Sequence, residues 1–277
     1  MKIVSLIENT GTNASLKNEH GLCLYIEFEN HKILFDTGAS NKYIYNAKKL
    51  NIPLESIDTV IISHGHYDHI GGLSYFLELN KKAKVYIKQE CNNMFYSKKN
   101  FYNKYIGPSN NIFSQFKNRF IYINNTQEIF NNVFLFGNIN KNINCDLIQN
   151  NLSVLKGNKL LKDNFSHELI LVFKEKEDLY IFTGCSHSGI INMILTVKEK
   201  FKNEQIKLLV GGFHLKSLKL NNSLHEEFIN NLGSELIKLD ISKIYTCHCT
   251  GIEAYKKLKL TLKEKLAYLS TGKTLIY

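Results

Sequence analysis

The sequence predicts a layered α/β fold, read as one domain over residues 1–277. Three observations predict it. Short apolar, β-rich runs alternate with helix-like stretches in both the first and the last third of the chain. Several strand-like runs come in close pairs, so antiparallel hairpins are mixed among longer crossovers. No glycine- or proline-rich linker divides the chain, which has 277 residues, 44% of them hydrophobic, enough for one large core or two small ones.

The elements follow in order. KIVSLI (2–7) reads as a first strand, and GLCLYIEF (21–28) with HKILFD (31–36) as a hairpin. Ser40 follows Gly38 and is expected to cap a helix with Tyr43, Ile44, Ala47 and Leu50 on one face, ended by Pro53. DTVIIS (58–63) reads as a buried strand and VYI (85–87) as another. Residues 91 to about 165 are less regular and rich in Asn, Lys, Phe and Tyr, with short strands at FIYI (120–123) and VFLF (133–136). That region reads either as a cap over an active site or as peripheral structure with aromatic packing. LILVF (169–173) and DLYIF (178–182) form a hairpin turned at EKE. Ser188 precedes a helix, IKLLV (206–210) is a strand, and Ser223 with Glu226 reads as a capping box for a helix to about Leu239. KIYT (243–246), a helix and a short terminal strand follow.

Composition excludes several classes. No stretch of 18 uncharged apolar residues exists, so no membrane span is expected. MKIVSLIENTG lacks a signal peptide's long apolar region and reads as a strand, which points to the cytoplasm. The six cysteines contain no CxxC pair, which argues against a zinc ribbon or an iron–sulfur cluster, and a cytosolic chain keeps them reduced. The net charge of +10 is spread as lysines without a run of like charges, which is a solvated surface more than a nucleic-acid track.

The chemistry concentrates in IISHGHYDHIGGL (61–73). His64, His66, Asp68 and His69 stand within six positions, directly after a buried strand. Imidazole and carboxylate suit zinc, iron or manganese. Alternate residues His64 and His66 can face one point, and Asp68 and His69 a second. Paired metals about 3.5–4 Å apart lower the pKa of a water and clamp substrate oxygens.

SHGHYDHIGGL resembles the H-x-H-x-D-H signature of the metallo-β-lactamase fold superfamily. ILFDTGAS (33–40), TGCSHSGI (183–190), VGGFHL (210–215) and CHCTG (247–251) resemble one branch of it. That branch includes the dihydropterin-ribofuranosylaminobenzene phosphate synthase of methanopterin biosynthesis and related predicted metal-dependent hydrolases. The resemblance implies a four-layer αββα sandwich and two divalent metal ions per chain, zinc first, with iron or manganese as alternatives. It implies His64, His66 and His187 as ligands of the first metal, and Asp68, His69 and His248 as ligands of the second. Asp36 would orient a ligand histidine. His214 and His20 would lie near the metals and contact substrate. The common T-G-D motif is here Thr183-Gly184-Cys185, so the usual bridging aspartate is replaced by Cys185. His167 competes with His187 as third ligand, and the glycine-rich strand end favours His187. Cys247 and Cys249 flank His248 and are expected to pack away from its face.

Four functions follow as expectations, in this order. The first is a hydrolase of an ester, lactone, amide or phosphoester in a small anionic molecule, with Asp68 taking a proton and His214 assisting the leaving group. The second is a synthase like the methanopterin enzyme. The third is a non-catalytic metal or redox module. The last is a nuclease, which the absence of the exonuclease branch's inserted domain disfavours. Substrate and oligomeric state stay open.

Overall fold

The computed structural model describes residues 1–11, 13–109, 111–145, 151–216, 218 and 222–277. The chain contributes β1 (Lys2–Ile7), β2 (Cys23–Phe28), β3 (His31–Phe35), α1 (Lys42–Lys49), β4 (Thr59–Ile61), α2 (Tyr67–Ile70), α3 (Leu73–Leu79) and β5 (Lys84–Ile87). Then come β6 (Met94–Lys98), β7 (Asn103–Tyr105), α4 (Ile112–Gln115), β8 (Phe120–Tyr122), β9 (Gln127–Phe130) and β10 (Val133–Phe136). The remainder holds β11 (Leu152–Lys156), β12 (Lys159–Lys162), β13 (Ile170–Glu175), β14 (Asp178–Phe182), α5 (Ile190–Lys200), β15 (Gln205–Gly211) and α6 (Ser223–Lys238). It closes with β16 (Lys243–Thr246), α7 (Ile252–Leu262), β17 (Leu266–Tyr268) and β18 (Thr274–Ile276). No helix among the described residues is long and apolar enough to cross a membrane.

Two compact units emerge. The first comprises Met1–Asn124, Asn151–His167 and Ser270–Tyr277. Its seven-stranded sheet runs β18-β1-β2-β3-β4-β5-β8. β1, β2 and β3 pair antiparallel, while β3, β4, β5 and β8 are parallel, as crossovers carrying helices require. β4 is buried throughout, whereas β5 buries only Val85 and Ile87 and β8, at the sheet edge, stays partly exposed. One core cluster includes Leu6, Tyr25, Val60, Val85 and Phe76. α1 packs Tyr43 and Ala47 inward as expected, and Ser40 Oγ accepts the Lys42 N–H, although Asn41 occupies the cap position. The same unit holds a four-stranded sheet, β12-β11-β6-β7, over a small core of Phe95, Ile106 and Val154.

The second unit comprises Asn125–Asn150 and Glu168–Leu269. Its sheet runs β17-β16-β15-β14-β13-β10-β9. The β13–β14 hairpin turns where EKE predicts, and β14, β15, β16 and β17 are parallel. Helices α5, α6 and α7 bury Ile194, Leu236 and Leu258 in its core. One cap differs from expectation. Asn222, not Ser223, accepts the Leu224 N–H at the start of α6, since an Asn one residue earlier is as good an acceptor and Ser223 already lies in the helix. Glu226 pairs instead with Lys257. Ser188 precedes α5 as expected, with Gly189 in the cap position; its N–H is taken by Glu168.

Candidate metal centre

The first unit gathers titratable side chains where β3 and β4 end. Asp36 leaves β3 in the left-handed region, φ 59°, a conformation that costs a non-glycine residue about 1–3 kcal/mol. The turn brings its carboxylate to the loop after β4. There Oδ1 accepts the Ser63 N–H and Oδ2 the Ser63 hydroxyl, both at 2.7 Å. Oδ2 also accepts from His69 Nδ1 at 2.6 Å. Ser63 has given its one hydroxyl proton to Asp36, so its 2.9 Å contact with His64 Nδ1 is an acceptance from Nδ1–H. One carboxylate therefore sets two tautomers. His64 and His69 both carry the proton on Nδ1 and the lone pair on Nε2, the form a metal ligand needs. Their ring centroids are 4.1 Å apart, and those of His64 and His66 are 4.7 Å apart.

The neighbouring backbone is equally constrained. Thr37 gives its N–H and hydroxyl to His69 O at 2.7 and 2.9 Å. Leu22 N–H reaches Asp68 O at 3.1 Å. Buried Glu19 accepts the N–H groups of Ala39 and Ser40 and the Ser40 hydroxyl. At Gly72 a Cβ would stand 2.1 Å from Thr37 O, so only glycine lets the two loops touch.

Asp68 faces His20, with Oδ2 3.2 Å from Nε2. Asn9 Nδ2 lies 3.2 Å from His20 Nδ1, and Asn9 Oδ1 accepts the Gly21 N–H, which orients the amide. The amide thus donates to Nδ1, and His20 presents Nε2–H to Asp68. The His20 side chain is 46% exposed, so it links a buried carboxylate to solvent.

His66 lies near a pair that sequence reading placed only in part. Asp163, His66 and His167 bring one donor atom each within 4.8 Å. Gly65 N–H donates to His167 Nδ1 at 3.0 Å, and His167 Nε2 is 3.1 Å from Asp163 Oδ2. With Nδ1 accepting, Nε2 carries the proton, so both ring nitrogens are committed to protein partners. His167 holds the HGH turn and Asp163; it does not offer a lone pair to an ion. Burial alone would push the Asp163 carboxyl up, but the His167 bond and the nearby His66 hold it below the usual range. Burial, and then His167, pushes the His66 imidazole down to about 3, so the ring stays neutral. Asp163 carried no signal in the sequence beyond a polar DNFSHE stretch.

The second unit carries its own group. Buried Glu168 clamps the loop after β14, accepting the N–H groups of His187 and Ser188 at 2.7 Å each. His187 and His214 have ring centroids 4.2 Å apart. His214 and His248 both adopt left-handed backbone conformations, φ 51° and 52°. Cys249 does not pack away as expected. Its Sγ accepts the His214 N–H at 3.3 Å and its thiol reaches Cys185 O at 3.6 Å, because His248–Thr250 is a helical turn that breaks strand alternation. Burial raises the Cys249 thiol's pKa, yet hydrogen bonds to Cys185 and His214 and the charge of His248 bring it well below the usual thiol range.

Buried imidazoles with set tautomers and a partly buried carboxylate fit a divalent ion, and thiols add affinity for a soft one. Known proteins share this arrangement of sequence and fold. The family model of the metallo-beta-lactamase superfamily matches residues 17–136. A 7,8-dihydropterin-6-methyl-4-(beta-D-ribofuranosyl)-aminobenzene-5'-phosphate synthase of Methanocaldococcus jannaschii is 29% identical, over 99% of this chain and 95% of its own. The crystal structure of a metal-dependent hydrolase of the beta-lactamase superfamily is 31% identical, with a TM-score of 0.84, over 100% of this chain and 99% of that one. Zinc-bound PqqB of Methylobacterium extorquens, at 10% identity and a TM-score of 0.58 over the whole of both chains, shares the fold alone. Agreement over full length at this identity, with the histidine motif inside the matched region, makes the chain a member of the metallo-beta-lactamase superfamily, whose fold is an α/β sandwich of two mixed sheets flanked by helices.

Proposed function

We propose that the protein is a metal-dependent hydrolase that opens an ester, lactone or phosphoester bond in a small anionic molecule. The observation that carries this reading is the Asp36 network, which presents Nε2 of His64 and of His69 as lone-pair donors on adjoining buried rings. Divalent ions held by His64, His66, Asp68 and His69 would supply Lewis acidity and lower the pKa of a water. The chain's own residues do the rest. Asp68 takes the proton that the attacking water loses, and the Nε2–H of His20, bonded to it, orients the carboxylate. Neutral His66 adds no positive charge of its own to the site. The net charge of +10 favours an anion.

A second reading rests on one observation, the match along almost the whole chain to a synthase whose product is a pterin-linked ribofuranosyl phosphate. One experiment separates the two. Metal-loaded protein is assayed against phosphomonoesters, phosphodiesters, lactones and aryl esters, and in parallel with the pterin and aminobenzene precursors. Hydrolysis that Asp68→Asn reduces at least about 100-fold supports the hydrolase. Condensation without hydrolysis of any panel member overturns it in favour of the synthase.

A further inference from the structure

We infer that the outer face of the sheet β12-β11-β6-β7, with the tip of its β6–β7 hairpin, is a docking surface for an anionic phospholipid bilayer. Strand register defines this face. Met94 lies opposite Leu155, and Leu155 opposite Leu160. Tyr96 lies opposite both Tyr105 and Ser153, and Ser153 opposite Lys162. Side chains alternate across a strand, so these residues share one side, while Phe95 and Val154 fill the other as the small core. Every residue named on the outer side is partly or fully exposed. The hairpin tip is barer still. Lys99 N–H closes the turn on Tyr102 O at 2.8 Å, and Phe101 and Tyr102 stand 97% and 63% exposed.

Charge complements the apolar surface. Between Met94 and Tyr105, and between Leu152 and Lys162, the chain carries Lys98, Lys99, Lys104, Lys156, Lys159 and Lys162 and no Asp or Glu. These lysines are scattered in sequence, and strand pairing gathers them. Aliphatic side chains, an aromatic tip and unopposed lysines match the acyl boundary, the headgroup interface and the negative charge of an anionic leaflet. A nucleic acid asks for a different surface. It stacks bases on open aromatic faces, and its phosphates suit arginine. Here the rings of Tyr96 and Tyr105 meet edge-on, at 70° with centroids 5.5 Å apart. Met94, Leu155 and Leu160 offer nothing to a phosphate backbone. The chain's one arginine, Arg119, is bonded to the carbonyls of Ala83 and Asn80.

The sheet is fastened to the histidine motif. Tyr67 N–H donates to Ile106 O at 2.8 Å, and the rings of His66 and Phe95 lie 5.4 Å apart. A Cβ on Gly65 would stand 2.7 Å from the Phe95 ring. Attachment through the outer face therefore holds the His64–His69 turn at the lipid surface, with no segment crossing it. The inference stands on the sheet alone and needs no particular reaction at the metals.

Vesicle co-sedimentation of the full chain tests it. One set of vesicles is phosphatidylcholine alone, and the other is phosphatidylcholine and phosphatidylglycerol in equal parts. The expected result is sedimentation with the anionic vesicles only, weakened by added salt. Phe101→Ser should lower the partition coefficient about tenfold. Lys98→Glu with Lys99→Glu should lower it at least about tenfold. Lys48→Glu with Lys49→Glu makes the same charge change on exposed positions of α1 and should leave partitioning within about twofold of wild type. Circular dichroism confirms that each variant is folded. Failure of the wild-type chain to sediment with the anionic vesicles overturns the inference. Equal binding to both vesicle types overturns it, because the lysines then contribute nothing, and so does an equal loss in the α1 variant. Retention of single-stranded poly(U) that Lys98→Glu with Lys99→Glu abolishes, without vesicle binding, assigns the face to nucleic acid and overturns it as well.

Discussion

Ser63 gives Asp36 both its backbone N–H and its hydroxyl, each at 2.7 Å, and so makes one carboxylate the common reference for two histidine rings. The serine bridges Asp36 to His64, whereas His69 touches the carboxylate directly. Ser63→Ala should therefore disturb His64 and spare His69. The buried His64 Nδ1–H and one Asp36 lone pair lose their partner, at a cost of roughly 1–3 kcal/mol in the metal-free protein. Asp36→Asn should act on both rings and weaken metal binding roughly 10–100-fold. Urea unfolding and chelator competition measure the two effects. Equal losses of metal affinity in the two variants would refute the hierarchy.

His167 stands between Gly65 and Asp163 with both nitrogens in use. His167→Phe removes the partner of the buried Gly65 N–H and of Asp163 Oδ2, while Oδ1 keeps the Phe165 N–H, and should destabilise the fold by about 2–4 kcal/mol. Asp163→Asn keeps an oxygen acceptor for Nε2–H and should cost under about 2 kcal/mol. Denaturant midpoints at constant slope give the ranking. If instead Asp163→Asn leaves stability untouched and removes one bound metal per chain, the carboxylate is a ligand and the pair has been misread.

Gly72 offers a sharper test of packing. Its missing Cβ would meet Thr37 O at 2.1 Å and Ser40 O at 2.6 Å, both backbone atoms with no freedom to retreat. Gly72→Ala should lower stability by more than about 3 kcal/mol or abolish soluble expression. Gly157, where an added Cβ meets nothing within 4 Å but φ is +58°, should tolerate alanine at a cost of about 1 kcal/mol. Thermal unfolding of the two variants side by side decides the point.

His66 makes the metal-free protein acid-sensitive. Its folded-state pKa, near 3, lies below the ordinary histidine value of about 6.5, so the unfolded chain binds a proton that the folded one refuses. Its contribution is present above about pH 6.5 and is lost as pH falls from there towards 3, by up to about 1.4 kcal/mol per pH unit. His66→Gln should flatten that part of the stability curve. Chemical unfolding at intervals between pH 7 and 4 checks it, and parallel curves for the two proteins would refute it.

Apolar runs told their own story before any coordinates. KIVSLI, VFLF, DLYIF and KIYT occupy the strands predicted to the residue, because each is short, apolar and bounded by turn residues. HKILFD stops one residue early, since Asp36 turns left-handed to reach Ser63; a strand pattern cannot show where a side chain's bonds will bend the backbone. The sheet β12-β11-β6-β7 escaped notice because NKY and KLLK are short and largely exposed, and β6 pairs with a strand nearly sixty residues later. Within the site, clustered histidines were legible because four ligand residues in six positions have few other uses. Asp163 and Glu168 were not, since a lone carboxylate in a polar loop carries no periodicity. Cys249 was misjudged for a local reason: alternation assumes extended backbone, and His248 at φ 52° ends it.

The edge strand β18 adds a temporal consequence. It pairs with β1 across more than 270 residues, register Ile3 to Leu275. During synthesis β1 emerges first and β18 only after every strand of the second unit. Until then the apolar strand IVSLI has one side of its ladder open. A nascent chain in that state displays a hydrophobic β-edge of the kind that invites pairing with other chains, and slowing the ribosome between Leu269 and Thr274 should raise aggregation of newly made protein without altering the finished molecule.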